Sequence, residues 1–205
     1  MIRTLSNPHG SLRRLIADRS GVTMVEFAFV APVLVVMVMG LFDMAHTQYS
    51  SSILNGALQK AARDLTLENA NSQQVSIDAR VEQQIAEVMP AAGEITFEKV
   101  SHFDFSDVSE PEEFTDQNSD NICNNNEPYI DTNNNGRWDA DRGRDGIGGA
   151  RDVVLYTANV TYPRLFPMYG LIGMPDTVTL SASTVLRNQP FDEQNDRVVT
   201  QRNCT

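Results

Sequence analysis

The chain has 205 residues and a formal net charge of −11, with 16 Lys and Arg against 27 Asp and Glu. This acidic balance argues against a nucleic-acid-binding protein, which would show a basic face, and against adhesion of the polar part to anionic lipid. The length allows one domain of ordinary size in addition to a membrane helix.

The first predicted element is a membrane-spanning helix. Between Val22 and Phe42 the only charged residue is Glu26, and 21 residues at about 1.5 Å each can cross a hydrocarbon core. Four arginines precede this run, whereas Asp43 follows it, and the next basic residue is Lys60. The positive-inside rule therefore predicts a cytoplasmic N-terminus and an exported remainder. A buried core helix and a secretory signal peptide are the alternatives; the charge asymmetry disfavours the first, and the lack of an Ala-x-Ala pattern after Phe42 disfavours the second.

The start of the apolar run carries a motif. Gly21, followed by four residues and then Glu26-Phe27, resembles the processing site of type IV prepilin-like proteins. The wider string from Gly21 to Leu34, with Val25-Glu26-Phe27-Ala28 and Pro32, and the later Gly40-Leu41-Phe42-Asp43, resembles the TadE-like minor pseudopilins of the Tad (Flp) type IVb pilus assembly system. The resemblance covers about residues 20–65.

This resemblance implies cleavage after Gly21 by a membrane-embedded prepilin peptidase. The mature chain would begin at Val22, with Glu26 as its fifth residue, and would carry a net charge of −14, because residues 1–21 hold four arginines and one aspartate. The resemblance also implies that Glu26 pairs with the new α-ammonium of a neighbouring subunit, since an ion pair costs less in a low-dielectric setting than either charge alone. The alternative is a glutamate at the headgroup boundary that contacts water.

The remaining elements predict an α+β fold, in which a long N-terminal helix packs on a small antiparallel sheet, as in pilins. Apolar residues at three- and four-residue steps extend the first helix to about Leu67, and a second amphipathic helix is predicted from about Ser76 to Met89. Strands are predicted at Glu94–Val100, Asp152–Tyr162 and Thr177–Leu186. The predicted parts are a basic leader (1–21), a transmembrane helix (22–43), an exported domain (44–191) and a polar, extended or mobile tail (192–205).

An acidic insertion, residues 104–149, interrupts the exported domain. Residues 104–131 contain nine acidic residues and no basic one, and an Asn-rich and Gly-rich segment follows. Loops of this length in compact domains are functional or disordered. Its carboxylate and amide oxygens make the insertion a candidate metal site.

Two loops in the insertion resemble the start of an EF-hand calcium loop, in which oxygen ligands alternate and glycine permits a sharp turn. One places Asp131, Asn133, Asn135 and Asp139 at positions 1, 3, 5 and 9, with Gly136 at position 6. Arg142 replaces the usual glutamate at position 12, so Asp139 or Asp141 would complete the ligand set. The other loop places Asp116, Asn118, Asp120 and Glu127 at positions 1, 3, 5 and 12, with Asn121 in place of glycine. Neither loop has flanking helices, and the alternative is a cluster of solvated turns without an ion.

The two cysteines, Cys123 and Cys204, are predicted to form a disulfide in an oxidising compartment. We expect no enzymatic activity, because no histidine lies near a serine or cysteine in a recognisable arrangement. The sequence thus predicts a structural protein of the bacterial inner membrane, with its C-terminal domain in the periplasm. Its partners would be the peptidase, other pilin or pseudopilin subunits and the Tad machinery. Two alternatives stay open: an uncleaved periplasmic scaffold anchored by the helix, and a calcium-dependent adhesin-like module.

Overall fold

The computed structural model describes residues 21–67, 70–89, 95–166, 169–170, 173, 175–190, 192–194 and 196–205. Apart from Gly21, the predicted leader lies outside the described residues. Within them the chain forms two α-helices, α1 (Val22–Leu65) and α2 (Ala70–Val88). The strands are β1 (Ile95–His102), β2 (Pro128–Asp131), β3 (Arg144–Asp145), β4 (Val153–Pro163), β5 (Thr177–Arg187) and β6 (Thr200–Asn203).

Helix α1 is continuous over 44 residues, with Pro32 inside it. At about 1.5 Å per residue it is about 66 Å long. Its first half is exposed, whereas its second half buries a stripe of small and aliphatic side chains against the domain. Tyr49 lies in this second half but outside the buried stripe, since it is 57% exposed. The helix ends at Leu65, and the C-terminal cap is Thr66, whose hydroxyl and N–H both donate to the carbonyl of Arg63.

The main sheet is antiparallel, in the order β3-β1-β4-β5. The α+β fold class is confirmed, and the three predicted strands lie within two residues of their expected bounds. Helix α2 begins at Ala70 rather than at Ser76. Both helices pack on one face of the sheet, and the core joins α1 (Leu54, Leu58, Leu65), α2 (Ile77, Val81, Ile85), β4 (Tyr156, Ala158, Val160) and β5 (Ala182, Leu186).

A polar link crosses this core. The buried Tyr156 hydroxyl of β4 donates to Asp78 of α2 at 2.7 Å, and the Lys99 ammonium of β1 lies 2.6 Å from the same carboxylate. Burial and the Asp78 carboxylate raise the pKa of Tyr156, so the phenol stays a hydrogen-bond donor. The link fixes the position of α2 on the sheet.

The strands run along the second half of α1, and this gives the domain two ends. At one end, named here the Asp43 end, residues that follow β4 bond to Asp43. At the other, the Leu65 end, the N–H of Gln189 after β5 donates to the carbonyl of Thr66. Because β1 finishes at His102, opposite Val153 of β4, the insertion leaves and rejoins the sheet at the Leu65 end.

The insertion has its own small sheet, which the sequence does not predict. Strand β2 pairs with β6 in antiparallel register from Pro128↔Asn203 to Asp131↔Thr200. The C-terminal residues 200–203, expected to be extended or mobile, thus form a strand. The insertion and the C-terminus are one structural unit.

Candidate functional sites on the N-terminal helix and in the insertion

The start of α1 carries the four residues of the predicted processing site. Gly21 is the N-terminal cap, with φ −76°, and its carbonyl accepts a bond from the N–H of Val25 at 3.2 Å. Gly21, Val22, Glu26 and Phe27 are all exposed. Among the described residues, nothing lies within 4 Å of where a Cβ on Gly21 would sit. The fold therefore does not require glycine at position 21.

Glu26 is the one carboxylate in the apolar half of α1. Its side chain is exposed, and none of the described residues bonds to it. In a hydrocarbon environment an isolated carboxylate is costly, and such residues are associated with function or paired with a counter-charge. The chain itself supplies no counter-charge to Glu26 in the described part.

The apolar half of α1 is a candidate membrane span. It is long and apolar enough to cross a membrane, and none of its most apolar window is buried in the protein. Phe29 is 77% exposed, Met37 60% and Leu41 62%. A core helix of a soluble protein would bury these side chains, so the exposure agrees with a membrane-anchored component.

Asp43, the first charged residue after the span, is 2% exposed and fully bonded. Its carboxylate accepts from the Arg164 guanidinium at 2.8 Å, the Tyr169 hydroxyl at 2.7 Å and the Leu165 N–H at 3.2 Å. The Arg164 guanidinium also stacks over the Tyr169 ring, 4.0 Å from its centroid. The β4–β5 connection is thereby fixed to α1 at the point where the apolar run ends.

The structure brings together four of the residues predicted for the first calcium loop. Asp131 accepts from the N–H groups of Asn135 and Gly136, and the side-chain amides of Asn133 and Asn135 donate to Asp139 at 2.9 and 2.5 Å. Gly136 has φ +84°, so the expected sharp turn is present. The Arg202 guanidinium of β6 lies 2.6 Å from Asp131.

Asp141, the remaining predicted ligand of this loop, bonds elsewhere. Its carboxylate accepts from the Gly143 N–H at 2.9 Å and lies 2.5 Å from the Nε2 atom of the buried His102. These two contacts place Asp141 at the junction of the insertion with β1. The geometry favours Asp139 over Asp141 as the residue that completes the loop.

Glu112 is a residue that the sequence reasoning missed. It is 1% exposed, and its carboxylate accepts from the N–H groups of Thr132, Asn133 and Asp139 at 2.6, 3.4 and 3.3 Å. Burial raises the pKa of Glu112, and the neighbouring Asp131 carboxylate adds to the rise, although the N–H donors lower it. Two buried carboxylates, of which Asp131 is paired with Arg202, therefore lie at the base of this loop.

The second predicted loop is also compact. Glu127, 1% exposed, accepts from the N–H groups of Gln117, Asn118 and Asn124, whereas Asp116 accepts from those of Ser119 and Asn121. Asn121 has φ +59°, as expected for a residue in place of glycine. The Asn118 and Asn124 amides both donate to Asp120, and the Asn124 bond is the main reason that the pKa of Asp120 lies below its ordinary value.

The Cys123–Cys204 disulfide joins this second loop to the C-terminus, with the two Cα atoms 5.5 Å apart. The N–H of Cys204 also donates to the carbonyl of Glu127 at 2.8 Å. In the described part of the chain, no group of three or more His, Cys, Asp or Glu side chains is arranged to hold a metal ion. Calcium at either loop, where asparagine oxygens would have to contribute, stays a prediction.

Comparison with known protein families gives a match to the N-terminal helix. Residues 21–63 match the model of a family described as TadE-like protein. No curated protein and no solved structure matches the chain. The match confirms the resemblance predicted from the string that begins at Gly21, and it suggests a role in assembly of the Tad pilus.

Proposed function

We propose that this protein is a non-catalytic minor pseudopilin that a prepilin peptidase trims after Gly21 and that acts in assembly of a Tad pilus. The family match at residues 21–63 carries this proposal. It begins at the predicted cut and covers the exposed apolar half of α1 together with part of its packed half. The same helix thus presents the motif, the span and the attachment to the exported domain.

Cleavage at this site would create a new charged group beside Glu26. An α-ammonium at Val22 would lie about one helical turn from the Glu26 carboxylate, since a turn contains about 3.6 residues. In a lipid environment, the carboxylate of one subunit and the amine of another would each reduce the cost of burying the other. Such a pair would set the axial register between packed subunits.

The exported domain supports a structural role. Its conspicuous polar groups, including Asp43, Asp78 and Glu112, are engaged in bonds that hold elements together. The four arginines before Gly21 and the acidic remainder favour a cytoplasmic N-terminus and a periplasmic domain. We therefore place the protein in the inner membrane of a Gram-negative bacterium, in contact with other pilin or pseudopilin subunits and the assembly machinery.

Replacing Gly21 with valine is expected to block the cut. The site around Gly21 has room for a side chain among the described residues, so the helix should form and only recognition by the peptidase should fail. Intact mass and N-terminal sequencing of the membrane-extracted protein check this: the natural chain should begin at Val22 and the variant should keep its leader. Gly40→Val, in the same helix with an equally open surrounding, is the matched control and should still be cut.

A natural chain that begins at Met1 would overturn the processing proposal and favour the uncleaved periplasmic scaffold. Glu26→Gln adds a separate arm, because the amide keeps the size of the side chain but removes its charge. We expect this variant to be cut and to fail in assembly. If the Glu26→Gln variant assembled normally, the charge of Glu26 would have no role in assembly. The proposal that the chain is cut after Gly21 would be unaffected.

We further propose that the Asp131 loop binds calcium. Of the buried carboxylates of Asp131 and Glu112, Asp131 is paired with the single guanidinium of Arg202, and a divalent cation would offset the remaining negative charge. Calcium at 100 times its dissociation constant should stabilise the fold by about 2.7 kcal/mol and raise the unfolding temperature, and a chelator should reverse the shift. Thermal unfolding of the full chain in detergent, with calcium, magnesium or chelator, measures this.

Asp131→Asn should abolish the calcium-dependent shift, whereas Asp145→Asn should keep it, because Asp145 is an exposed residue of β3 outside both loops. An identical unfolding temperature with calcium and with chelator would show that the cluster is a set of solvated turns. Calcium-dependent capture of a ligand by a chain that is never cut would instead support the adhesin-like alternative.

A further inference from the structure

The described part of the β4–β5 connection, residues 164–166, 169–170, 173 and 175–176, begins at the outer end of the candidate span. It is held to Asp43 by Arg164, Leu165 and Tyr169 at 2.7–3.2 Å. A second contact supports this placement, since the Tyr162 ring at the end of β4 packs edge-on against His46 of α1. Strand β4 therefore delivers its connection to the first turn of α1 beyond the apolar run.

The length of the apolar run determines where Asp43 would lie relative to the membrane. The 21 residues from Val22 to Phe42 extend about 31 Å as a helix, which equals the hydrocarbon thickness of about 30 Å. Asp43 would then lie at the level where acyl chains give way to headgroups. Groups bonded to Asp43 must lie at the same level, within one side-chain length of the lipid.

The composition of the connection fits that level. Residues 165–175 contain no charged residue, although 21% of the whole chain is charged. Of the described positions, Leu165 is 51% exposed and Phe166 is half-buried, and the two residues that flank Asp43 in the sequence, Phe42 and Met44, are 63% and 64% exposed. Exposed apolar side chains that are grouped at one place mark an interaction surface. Here they lie at the level of Asp43, where the apolar run ends.

The polar groups beside these side chains are of the type found at membrane interfaces. Tyrosine is enriched at headgroup level, and arginine places its guanidinium there while its stem lies on apolar surface. Arg164 and Tyr169 form such a stacked pair directly beside Leu165. The acidic insertion, by contrast, lies at the Leu65 end, which is about 33 Å along the helix from Asp43.

We propose that the β4–β5 connection inserts Leu165 and Phe166 into the outer leaflet of the membrane that α1 crosses. Arg164 and Tyr169 lie at headgroup level. This second contact fixes the orientation of the exported domain. The sheet then extends away from the membrane, and the insertion lies at the end farthest from it. The inference rests on the proposed function in one respect, namely that α1 spans the membrane.

Photo-crosslinking of the full chain in phosphatidylethanolamine and phosphatidylglycerol vesicles tests the contact. Benzoylphenylalanine is placed at Leu165, at Phe29 in the span, or at Val185, which is exposed and about 26 Å along β5 from Thr177. After irradiation, mass spectrometry should show an adduct of one phospholipid at positions 165 and 29 and none at 185.

The three positions separate the failure of this inference from the failure of the proposed function. A lipid adduct at position 29 without one at 165 would overturn the membrane contact and leave the span intact. The absence of a lipid adduct at position 29 would refute the membrane span. It would also refute the membrane contact of Leu165, which depends on the span. A protein–protein adduct at position 165 in place of the lipid adduct would assign the surface to a second copy of the chain and overturn the proposal.

Discussion

Asp43→Ala is expected to lower the free energy of unfolding of the exported domain by about 3–5 kcal/mol, because it leaves a partly buried guanidinium without its partner. Arg164 would lose its carboxylate, and the Leu165 N–H and Tyr169 hydroxyl would lose their acceptor. The α-helix itself should be unaffected, since alanine favours the helix. Urea unfolding of the full chain in detergent, followed by near-ultraviolet circular dichroism, measures the change.

Tyr169→Phe is the matched control for this prediction. It removes one hydrogen bond to Asp43 while keeping the ring that stacks on Arg164, so the loss should be about 1 kcal/mol. A second comparison is Asp64→Ala, which removes an exposed partner of Arg80 at 3.6 Å and should change stability by less than about 1 kcal/mol. Equal small effects of Asp43→Ala and Asp64→Ala would contradict a structural role for Asp43.

Loss of the Cys123–Cys204 disulfide is expected to lower stability by about 4 kcal/mol. The bond closes a loop with a sequence separation of 81 residues, and the chain-entropy model predicts a contribution of this size for such a loop. The Cys123→Ser/Cys204→Ser double variant should therefore unfold at lower urea concentration. The β2–β6 pair, which adjoins Cys204, should be the first part to lose its protection from hydrogen exchange.

Chemical reduction of the disulfide provides an independent check on its predicted contribution to stability. Treatment of the natural chain with dithiothreitol should reproduce the behaviour of the double variant, and the double variant should not respond to it. If the natural chain and the double variant had the same unfolding midpoint under oxidising conditions, the disulfide would not stabilise the fold, and the C-terminus would be held by its other contacts, which include the β2–β6 pairing and the Arg202–Asp131 ion pair.

Elements with a periodic apolar pattern could be predicted from the sequence with good accuracy. Helix α1 ends within two residues of the expected Leu67, and β4 and β5 each lie within one residue of prediction, because alternating or helical burial leaves a pattern along the chain. The start of α2 was placed six residues late because Ala70 to Val75 is mainly polar. A solvated first turn has no apolar periodicity to reveal it.

Pairings between distant residues could not be predicted in the same way. Strands β2 and β6 are four residues each and lie about 70 residues apart, so neither has a pattern that specifies the other. Glu112 precedes the Asp131 loop and does not belong to its ligand pattern. Its role depends on the chain folding so that its carboxylate meets the N–H of Thr132. Asp43 ends the apolar run in the sequence, but its partner Arg164 is 121 residues away.

The unbroken course of α1 has a mechanical consequence. If the apolar half spans the membrane as proposed, α1 is one continuous helix from the membrane to the Leu65 end of the domain, and the tie at Asp43 removes the hinge that a flexible linker would provide. A force that moves α1 outward along its axis by one helical turn, about 5.4 Å, must move the insertion by the same distance. An axial force on the apolar half of α1 is thus transmitted to the insertion at the Leu65 end of the domain. Any assembly component that moves the apolar half along its axis moves the insertion with it.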